Sequence, residues 1–378
     1  MRKRGHPASG SGATRNFRTR RQAITIHDIA KEAEVSTATV SRVLNHPDRV
    51  SAAVRERVLA VVDRQHYVSD GFGAGLASQR SRLIGLLIPT ITNSIYASST
   101  QAIQRVAQHA GYTVLVGVYD YSAQREEELV QKLLERRVDG LILTGEERAS
   151  RIYDKIRKNG VPFVITWQLT RDASIPCVAF DNEAAAFFAV DHLISLGHRN
   201  IGLICGRTDV NDRAQARRNG YLRALDSYGL TSTPLIYERD FEFVHGRSAM
   251  HLILQKRQRP TAVFCANDIQ AIGAIYESQL SGLRVPDDIS IIGFDDIPAA
   301  QYTTPQLTTI RVPAEEMGRR AAEILIDAIG GADGTVRIEL PTDLIVRQST
   351  MSPRTEVVGS KRGSGRLVKK AERASTQN

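Results

Sequence analysis

Cysteine and long apolar runs are scarce in this chain, and what is missing excludes several classes of protein. The 378 residues include three cysteines, and no apolar run reaches the ~18–20 residues of a membrane span. The cysteines lie far apart in apolar stretches, which predicts free buried thiols in a reducing compartment rather than a disulfide framework. No Cys-x-x-Cys or His-x-x-x-His spacing occurs, so we expect no metal site. The basic N-terminus lacks the apolar core of a signal peptide, and we expect a cytoplasmic protein with no membrane association.

Signatures of catalysis are missing as well. The chain contains no G-x-G-x-x-G, no P-loop and no Ser/His/Asp arrangement where chemistry would require one. Gly71, Gly73 and Gly75 are spaced like part of a nucleotide loop, but no predicted strand precedes them. We therefore expect neither an enzyme nor a bound cofactor.

Positive charge is concentrated at the two ends of the chain. The net charge is +9, of which residues 1–21 contribute +7 and residues 351–378 contribute +5, so the rest carries −3. Both ends are rich in Gly and Ser and bury too little apolar surface to fold. Such tails either attract DNA phosphates without sequence preference or only increase solubility, and composition leaves both interpretations open.

A helix-turn-helix is predicted within residues 25–45, TIHDIAKEAEVSTATVSRVLN. Thr25 and Asp28 form a capping box that begins the first helix. Ser36 caps a second helix with apolar residues at i, i+3 and i+4, and a third helix is predicted at about 51–65. Two short helices joined by a turn of three or four residues form the helix-turn-helix unit.

The second helix exposes short or forked polar side chains, as a helix lying in the major groove requires. Capping and periodicity alone leave open a small helical bundle with an incidental polar face. The exposed positions are Thr37, Ala38, Thr39, Ser41, Arg42 and Asn45.

From Leu83 onwards, short apolar strands alternate with amphipathic helices, and the cycle repeats from about residue 178. This alternation predicts parallel, doubly wound sheets, and its repetition predicts two Rossmann-like lobes. Ligands of such sheets bind beyond the carboxyl ends of the strands.

Aromatic and polar residues follow several of these strands, where they suit a ligand with an apolar face and hydroxyl or acid groups. Each has a plainer alternative: Asp181 and Asp295 as helix caps, Trp167 in the core, Arg213 and Arg217 on a solvated helix face. The candidate ligand-binding residues are Asn93, Tyr96, Trp167, Asp181, Arg213, Arg217, Phe241, Asn267 and Asp295.

The segment TIHDIAKEAEVSTATVSRVLNHPDRVS closely resembles the DNA-binding headpiece of lactose-repressor (LacI/GalR-type) transcriptional regulators. The combination of IxDIAxxA with VSxxTVSRVLN is very specific. The resemblance implies that Thr37, Ala38 and Arg42 read bases, with Arg42 on guanine, and that the other positions contact or orient on phosphates. Those other positions are Thr39, Ser41 and Asn45, and Ser36, the cap of the helix, is also counted among the DNA-binding residues.

The resemblance covers roughly residues 25–350 and includes ANDIQAIGA, GLRVPDDISIIGFDD and TPQLTTIRVP. It implies a periplasmic-binding-protein-like effector domain, with Arg217 as the principal effector contact and Asp295 opposing it from the other lobe. The loop TN-x-x-Y, YDYS and NDRAxxR most resemble the gluconate-repressor-like branch. That branch implies a sugar or sugar acid such as gluconate, and Arg213 with Arg217 would suit a carboxylate or phosphate.

The headpiece departs from the family pattern at three places. Glu34 stands where the family usually has Gly, and in a left-handed turn it would be strained by ~1–2 kcal/mol. Ala38 is a contact position without a hydrogen-bonding group. Leu76, which in the family wedges into the minor groove from a hinge helix, is retained, but the family's arginine is replaced by Ala74 and glycines disfavour the helix.

The resemblance implies a homodimeric, nucleoid-associated repressor whose pseudo-palindromic operator DNA is released or bound under effector control. A two-lobed solute-binding protein and a Rossmann-fold enzyme are the alternatives, and neither explains the headpiece. The expected organisation is a basic tail (1–23), an all-α headpiece (24–69), a hinge (70–81), a first α/β lobe (82–180 and 311–335), a second α/β lobe (181–310 and 336–350) and a basic tail (351–378).

Overall fold

The computed structural model describes residues 24–68, 80–230, 234–332 and 334–354, in two compact units that comprise residues 1–81 and 82–378. The predicted hinge with Leu76 and nearly all of the two basic tails lie outside the described residues. No helix in the part of the chain that the structure describes is long and apolar enough to cross a membrane.

The described residues of the first unit form three α-helices, α1 Ile26–Glu32, α2 Thr37–Asn45 and α3 Ala52–Gln65. The predicted capping box is confirmed: the Thr25 hydroxyl accepts from Asp28 N, and the Asp28 carboxylate accepts from Thr25 N at 2.8 Å. Apolar residues from all three helices pack into one small core. Its fully buried members are Ile29, Ala30, Ala33, Val40, Val43, Val58 and Val61.

The turn between α1 and α2 keeps its left-handed geometry without a glycine. Glu34 has φ 52°, and its side chain is exposed. Because Cβ crowds the following carbonyl in this region, the turn carries about 1–2 kcal/mol of strain that a glycine would not. The chain therefore keeps the left-handed turn together with its strain energy, and does not adopt a different turn.

The first lobe of the second unit is built on a six-stranded sheet in which every pair of neighbouring strands is parallel, with the order β11-β5-β4-β3-β1-β2. Its first five strands and their helices are β1 Leu83–Ile88, α4 Ser94–His109, β2 Thr113–Val118, α5 Ala123–Glu135, β3 Gly140–Thr144, α6 Ser150–Lys158, β4 Phe163–Thr166 and β5 Cys177–Ala179.

The second lobe has a four-stranded parallel sheet in the order β7-β6-β8-β9. Its elements are α7 Asn182–Ser195, β6 Ile201–Cys205, α8 Asp212–Ser227, β7 Leu235–Glu238, α9 Phe243–Leu254, β8 Ala262–Cys265, α10 Asp268–Leu280 and β9 Ser290–Ile292. Buried apolar strands alternate with helices in both lobes, so the predicted pair of Rossmann-like lobes is confirmed.

After β9 the chain passes between the lobes more than once. The antiparallel strands β10 Thr309–Arg311 and β12 Asp343–Ile345 form a two-stranded sheet. Helix α11 Ala314–Ile329 packs on the first lobe, where Gly318 lies against the backbone of Ser99. Strand β11 Arg337–Glu339 then pairs in parallel with β5 of the first-lobe sheet. The assignment of residues 336–350 to the second lobe is therefore wrong for β11.

Candidate functional site

Helix α2 presents the side chains that were predicted to contact DNA. Val40 and Val43 are buried in the core of the first unit, so the opposite face is solvated. Arg42 and Ala38 are exposed, and no hydrogen bond or ion pair joins the Arg42 side chain to the residues described in this unit. The Arg42 guanidinium is therefore available to a base edge, for which its fork of N–H donors is suited.

Four other polar residues at α2 are already engaged locally, namely Ser36, Thr39, Ser41 and Asn45. The Ser36 hydroxyl accepts from Thr39 N at 3.1 Å and lies 2.9 Å from the Thr39 hydroxyl. Asn45 Nδ2 donates to the Ser41 carbonyl at 2.9 Å. These bonds fix the side chains at both ends of the helix and leave the middle of its exposed face to Ala38 and Arg42.

A pocket lies between the two lobes of the second unit, at the carboxyl ends of the strands. Its free cavity volume is about 10 Å³, so the side chains of the two lobes nearly fill it. Eight of the nine predicted ligand-binding residues line it: Asn93, Tyr96, Trp167, Arg213, Arg217, Phe241, Asn267 and Asp295. The sequence analysis did not select Ile95, Tyr121, Asn211 and Ala214, which complete the lining.

Asp181 is the predicted residue that the structure places elsewhere. Its carboxylate caps α7, accepting from Glu183 N and Ala184 N at 2.9 Å each. It borders a second, larger cavity of about 520 Å³ rather than the pocket. For Asp181 the helix-cap alternative holds, because a carboxylate at an N-cap satisfies two otherwise free backbone N–H groups.

Arg217 projects from α8 into the floor of the pocket, where its side chain is 7 % exposed. Its Nε donates to Asn182 Oδ1 at 2.9 Å, and its Nη1 donates to the Ala266 carbonyl at 2.7 Å. The guanidinium lies 3.8 Å from the centroid of the Phe294 ring, within range of a cation–π contact. Burial lowers the pKa of Arg217, although the Asp295 carboxylate opposes that effect.

Asp295 is the countercharge of Arg217, at 3.5 Å from Oδ1 to Nη1. Its other oxygen accepts from Asn267 Nδ2 at 2.6 Å. Burial raises the pKa of Asp295 to about 6, against the charge of Arg217 and the amides of Asn93 and Asn267. The carboxyl is therefore mostly ionised at pH 7.

The expectation that Asp295 opposes Arg217 from the other lobe is wrong. Asp295 follows β9, and Arg217 lies on α8, which follows β6; both strands belong to the second-lobe sheet. The two side chains form an ion pair within one lobe.

Arg213 lies one turn before Arg217 and is held by its neighbour Asp212. Nη1 of Arg213 donates to Asp212 Oδ1 at 2.6 Å. The second oxygen of Asp212 accepts from the backbone N–H of Glu146 and Glu147, at 2.6 and 3.0 Å. Because residues 146 and 147 follow β3 of the first lobe, Asp212 joins the two lobes.

Aromatic side chains form the remaining walls. The rings of Tyr96 and Trp167 meet edge to face with centroids 4.9 Å apart, and Tyr121 lies 6.0 Å from Phe241. Tyr121 is the aromatic that sequence reasoning missed. Its signal was present, because YDYS follows β2 directly, but that motif was interpreted as a family resemblance only.

Three pocket residues have backbone conformations that favour glycine: Tyr121 with φ 55°, Trp167 with φ 73° and Asp295 with φ 121°. Such strain persists in folded proteins mainly where function needs a side chain in that place. Asn93, Asn211 and Asn267 cap α4, α8 and α10 through Oδ1, and the Nδ2 group of Asn267 donates to Asp295. For these asparagines, helix cap and pocket residue are the same position.

Comparisons with known proteins agree with both units. Residues 25–70 match the model of bacterial regulatory proteins of the lacI family, and residues 190–350 match a periplasmic binding protein-like domain. The transcriptional repressor CytR of Escherichia coli strain K12 is 36 % identical over 330 residues, which cover 87 % of this chain and 96 % of the relative.

Solved structures of full-length regulators have the same architecture. A lac repressor dimer bound to operator and the anti-inducer ONPF matches with a TM-score of 0.76 and 29 % identity, covering 87 % of this chain and all of that one. A complex of the regulator CelR with cellobiose matches with a TM-score of 0.65 and 29 % identity, covering 86 % and 100 %. With its helix-turn-helix and two-lobed pocket, the chain belongs to the LacI family of bacterial regulatory proteins and is a DNA-binding transcriptional repressor with an effector-binding domain, not an enzyme.

Proposed function

We propose that a small hydroxylated molecule, bound in the pocket between the lobes, controls the operator affinity of this repressor. The observation that carries the proposal is that both lobes line one pocket and are joined beside it. The first lobe supplies Tyr96 and Trp167, and the second supplies Arg217 and Asp295. A ligand that touches both lobes changes the free energy of lobe closure, and only such differential binding can shift a conformational equilibrium.

The proposed effector is a sugar or a sugar acid such as gluconate. Aromatic rings suit the apolar face of a sugar, and amide and guanidinium N–H groups suit its hydroxyls. The matched CelR structure contains cellobiose, which agrees with this class of ligand. Whether a neutral sugar or a sugar acid binds better depends on the charges that surround Arg213 and Arg217.

For DNA, we propose that α2 lies in the major groove and that Arg42 supplies most of the direct readout. A bidentate contact from arginine to guanine O6 and N7 contributes about 1–3 kcal/mol of discrimination. Thr37 and Ala38 touch bases with little polar recognition, while Ser36, Thr39, Ser41 and Asn45 contact or orient on phosphates. Leu76 stays a predicted minor-groove contact.

We further propose that the repressor is a homodimer, which requires a pseudo-palindromic operator. An apolar patch on the second lobe supports a self-association surface. Arg247 lies over the Tyr276 ring at 5.5 Å, and Gln279 Nε2 donates to the Thr304 carbonyl at 2.6 Å, so α9, α10 and the following loop form one face. The exposed apolar residues of this face are Phe243, Val244, Tyr276, Leu280 and Tyr302. Chromosomal operators would place the dimer in the cytoplasm, at the nucleoid.

The test begins with selection of bound sequences from random DNA by the full chain. We expect a two-fold related site whose affinity falls steeply with salt, because phosphate contacts release counterions. A chain shortened to residues 82–378 is expected to bind ligand but no operator. A full-length protein without preference for any sequence at physiological salt would contradict the proposal.

A further inference from the structure

We propose that the effector is uncharged: a neutral hydroxylated ring such as an aldose or a nucleoside, rather than a sugar acid or a sugar phosphate. This inference rests on the proposed function and narrows its ligand class. It follows from the ion pairs inside the pocket and from the charged side chains that line the cavities beside it.

Both cations of the pocket are already neutralised by protein carboxylates. Arg217 has Asp295 as its countercharge, and both side chains are almost fully buried. Arg213 has Asp212, at 2.6 Å, with side chains that are 6 % and 15 % exposed. Because the two positive and two negative charges cancel, the pocket interior has no net charge to offer an anion.

When the lobes are closed, the position of Asp212 keeps its carboxylate beside Arg213. Its second carboxylate oxygen accepts from two backbone N–H groups of the first lobe, at Glu146 and Glu147. Gly145 lies so close to Arg213 that an added Cβ would come within 2.0 Å of Nη1. When the lobes are closed, Asp212 cannot move away from Arg213 without losing the bonds that join them.

A carboxylate or phosphate entering this space would have to compete with Asp212 or Asp295 for a guanidinium, and would lie close to the displaced charge. Buried like charges disfavour one another, and an anion without its own cation loses its hydration uncompensated. A neutral hydroxyl needs only a donor. Among the described contacts, Nη2 of Arg217 and of Arg213 are unbonded and can supply it.

The two cavities that flank the pocket carry more acidic than basic side chains. A cavity of about 350 Å³ shares Tyr121, Asn211 and Phe241 with the pocket, and its charged lining is Arg207 with Asp120, Asp240 and Glu242. The other cavity, beside Asp212, is lined by Arg171 with Glu146, Glu147, Asp181, Glu183 and Asp212. A cleft with a net negative charge repels anionic ligands.

A cation is disfavoured too, because each inner carboxylate already has its arginine. The pocket therefore offers N–H donors and aromatic faces without a net charge, and this combination suits a hydroxylated ring.

The experiment uses matched pairs that differ in charge: glucose with gluconate, ribose with ribose 5-phosphate, and adenosine with adenosine 5′-monophosphate. Binding to the full chain is measured by the fluorescence of Trp167, the single tryptophan, at 150 mM salt. We expect the neutral member of at least one pair to bind about tenfold tighter or better than the charged member, which corresponds to about 1.4 kcal/mol. Tighter binding of the charged members would overturn the inference.

The variant Asp212→Asn removes the charge that neutralises Arg213. We expect it to reduce the preference for the neutral member about tenfold, chiefly by improving the affinity of the acid. Asp288→Asn is the matched control, since Asp288 pairs with the exposed Arg284 at 2.8 Å, at the opposite end of β9 from the pocket. An unchanged preference in Asp212→Asn would refute the role of that charge.

If Asp212→Asn does not fold, the wild-type chain provides a second measurement. Association of the charged member should speed up with added salt, because salt screens the acidic openings, whereas association of the neutral member should not change. Equal salt dependence of both members would contradict the inference. Operator release separates the two proposals: a neutral ligand that binds without altering operator affinity refutes effector control but leaves the charge preference intact.

Discussion

Removal of the Arg217 charge should destabilise the effector unit in a way that depends on pH. In Arg217→Met, Asn182 Oδ1 and the Ala266 carbonyl lose their donor, and Asp295 loses its countercharge in a buried site. Orphaned buried acceptors cost about 1–3 kcal/mol, and breaking a buried pair on one side costs about 3–5 kcal/mol. We therefore expect a loss of about 3–4 kcal/mol in the free energy of unfolding at pH 7.

The pH dependence follows from Asp295. In the wild type its pKa is raised to about 6 from 3.8, so stability is lost as pH rises from about 4 to 6 and then levels off. Without Arg217 the pKa of Asp295 rises further, and the loss continues above pH 6 at about 1.4 kcal/mol per pH unit. The deficit of the variant should therefore be about 2–3 kcal/mol larger at pH 8 than at pH 5.

The assay is urea unfolding followed by Trp167 fluorescence, which reports on the effector unit because this tryptophan is buried in its pocket. In the double variant Arg217→Met with Asp295→Asn neither charge of this pair remains, so its deficit relative to the single variant Asp295→Asn should be the same at pH 5 and pH 8. An equal deficit of Arg217→Met at pH 5 and pH 8 would refute this reasoning.

Three further predictions concern other parts of the molecule. Glu34→Gly should stabilise the headpiece by about 0.5–1 kcal/mol, because relief of left-handed strain exceeds the added entropy of the unfolded chain. Hydrogen exchange of the full chain measures this change in stability. The control Ala60→Gly, at an exposed position within α3, should instead destabilise the headpiece by about 1 kcal/mol. Arg42→Ala should weaken operator binding by about 1–3 kcal/mol and abolish discrimination at one base pair. Titration with operators that differ at single base pairs measures both effects. If the variant binds all of these operators more weakly by the same factor, Arg42 contacts a phosphate instead. Burial and the Asp295 charge raise the pKa of Asp268 to about 7 from 3.8, so the wild type loses stability as pH rises from 4 to 7. In urea unfolding, the stability of Asp268→Asn should increase by about 3–4 kcal/mol relative to the wild type over that pH range. Parallel stability profiles of the two proteins against pH would contradict this prediction.

The elements that the sequence predicted well are those with local causes. Thr25 and Ser36 cap α1 and α2 because each side chain reaches a backbone N–H three residues on, which spacing alone reveals. The alternation of strands and helices predicted both lobes for the same reason. Strand β11 was misplaced because Arg-Ile-Glu has no hydropathy signal and its partner, β5, lies about 160 residues earlier in the chain.

The pocket was predicted as a set of residues but not as an arrangement of charges. Eight residues were selected because they follow strands whose carboxyl ends meet at one edge. The sequence did not reveal which arginine pairs with which carboxylate. Asp212 reads as an acidic residue in the first turn of a helix, and only the folded chain brings it against both Arg213 and the N–H groups of the other lobe.

We propose that ligand binding in the pocket and DNA binding by α2 are coupled, and measuring both affinities together tests this coupling. Operator affinity is measured with and without saturating effector, and effector affinity, by Trp167 fluorescence, with and without operator. We predict that each ligand changes the affinity of the other by the same factor, about 5–150-fold for a coupling of 1–3 kcal/mol. An effector that binds in the pocket but leaves operator affinity unchanged at every concentration would contradict the account.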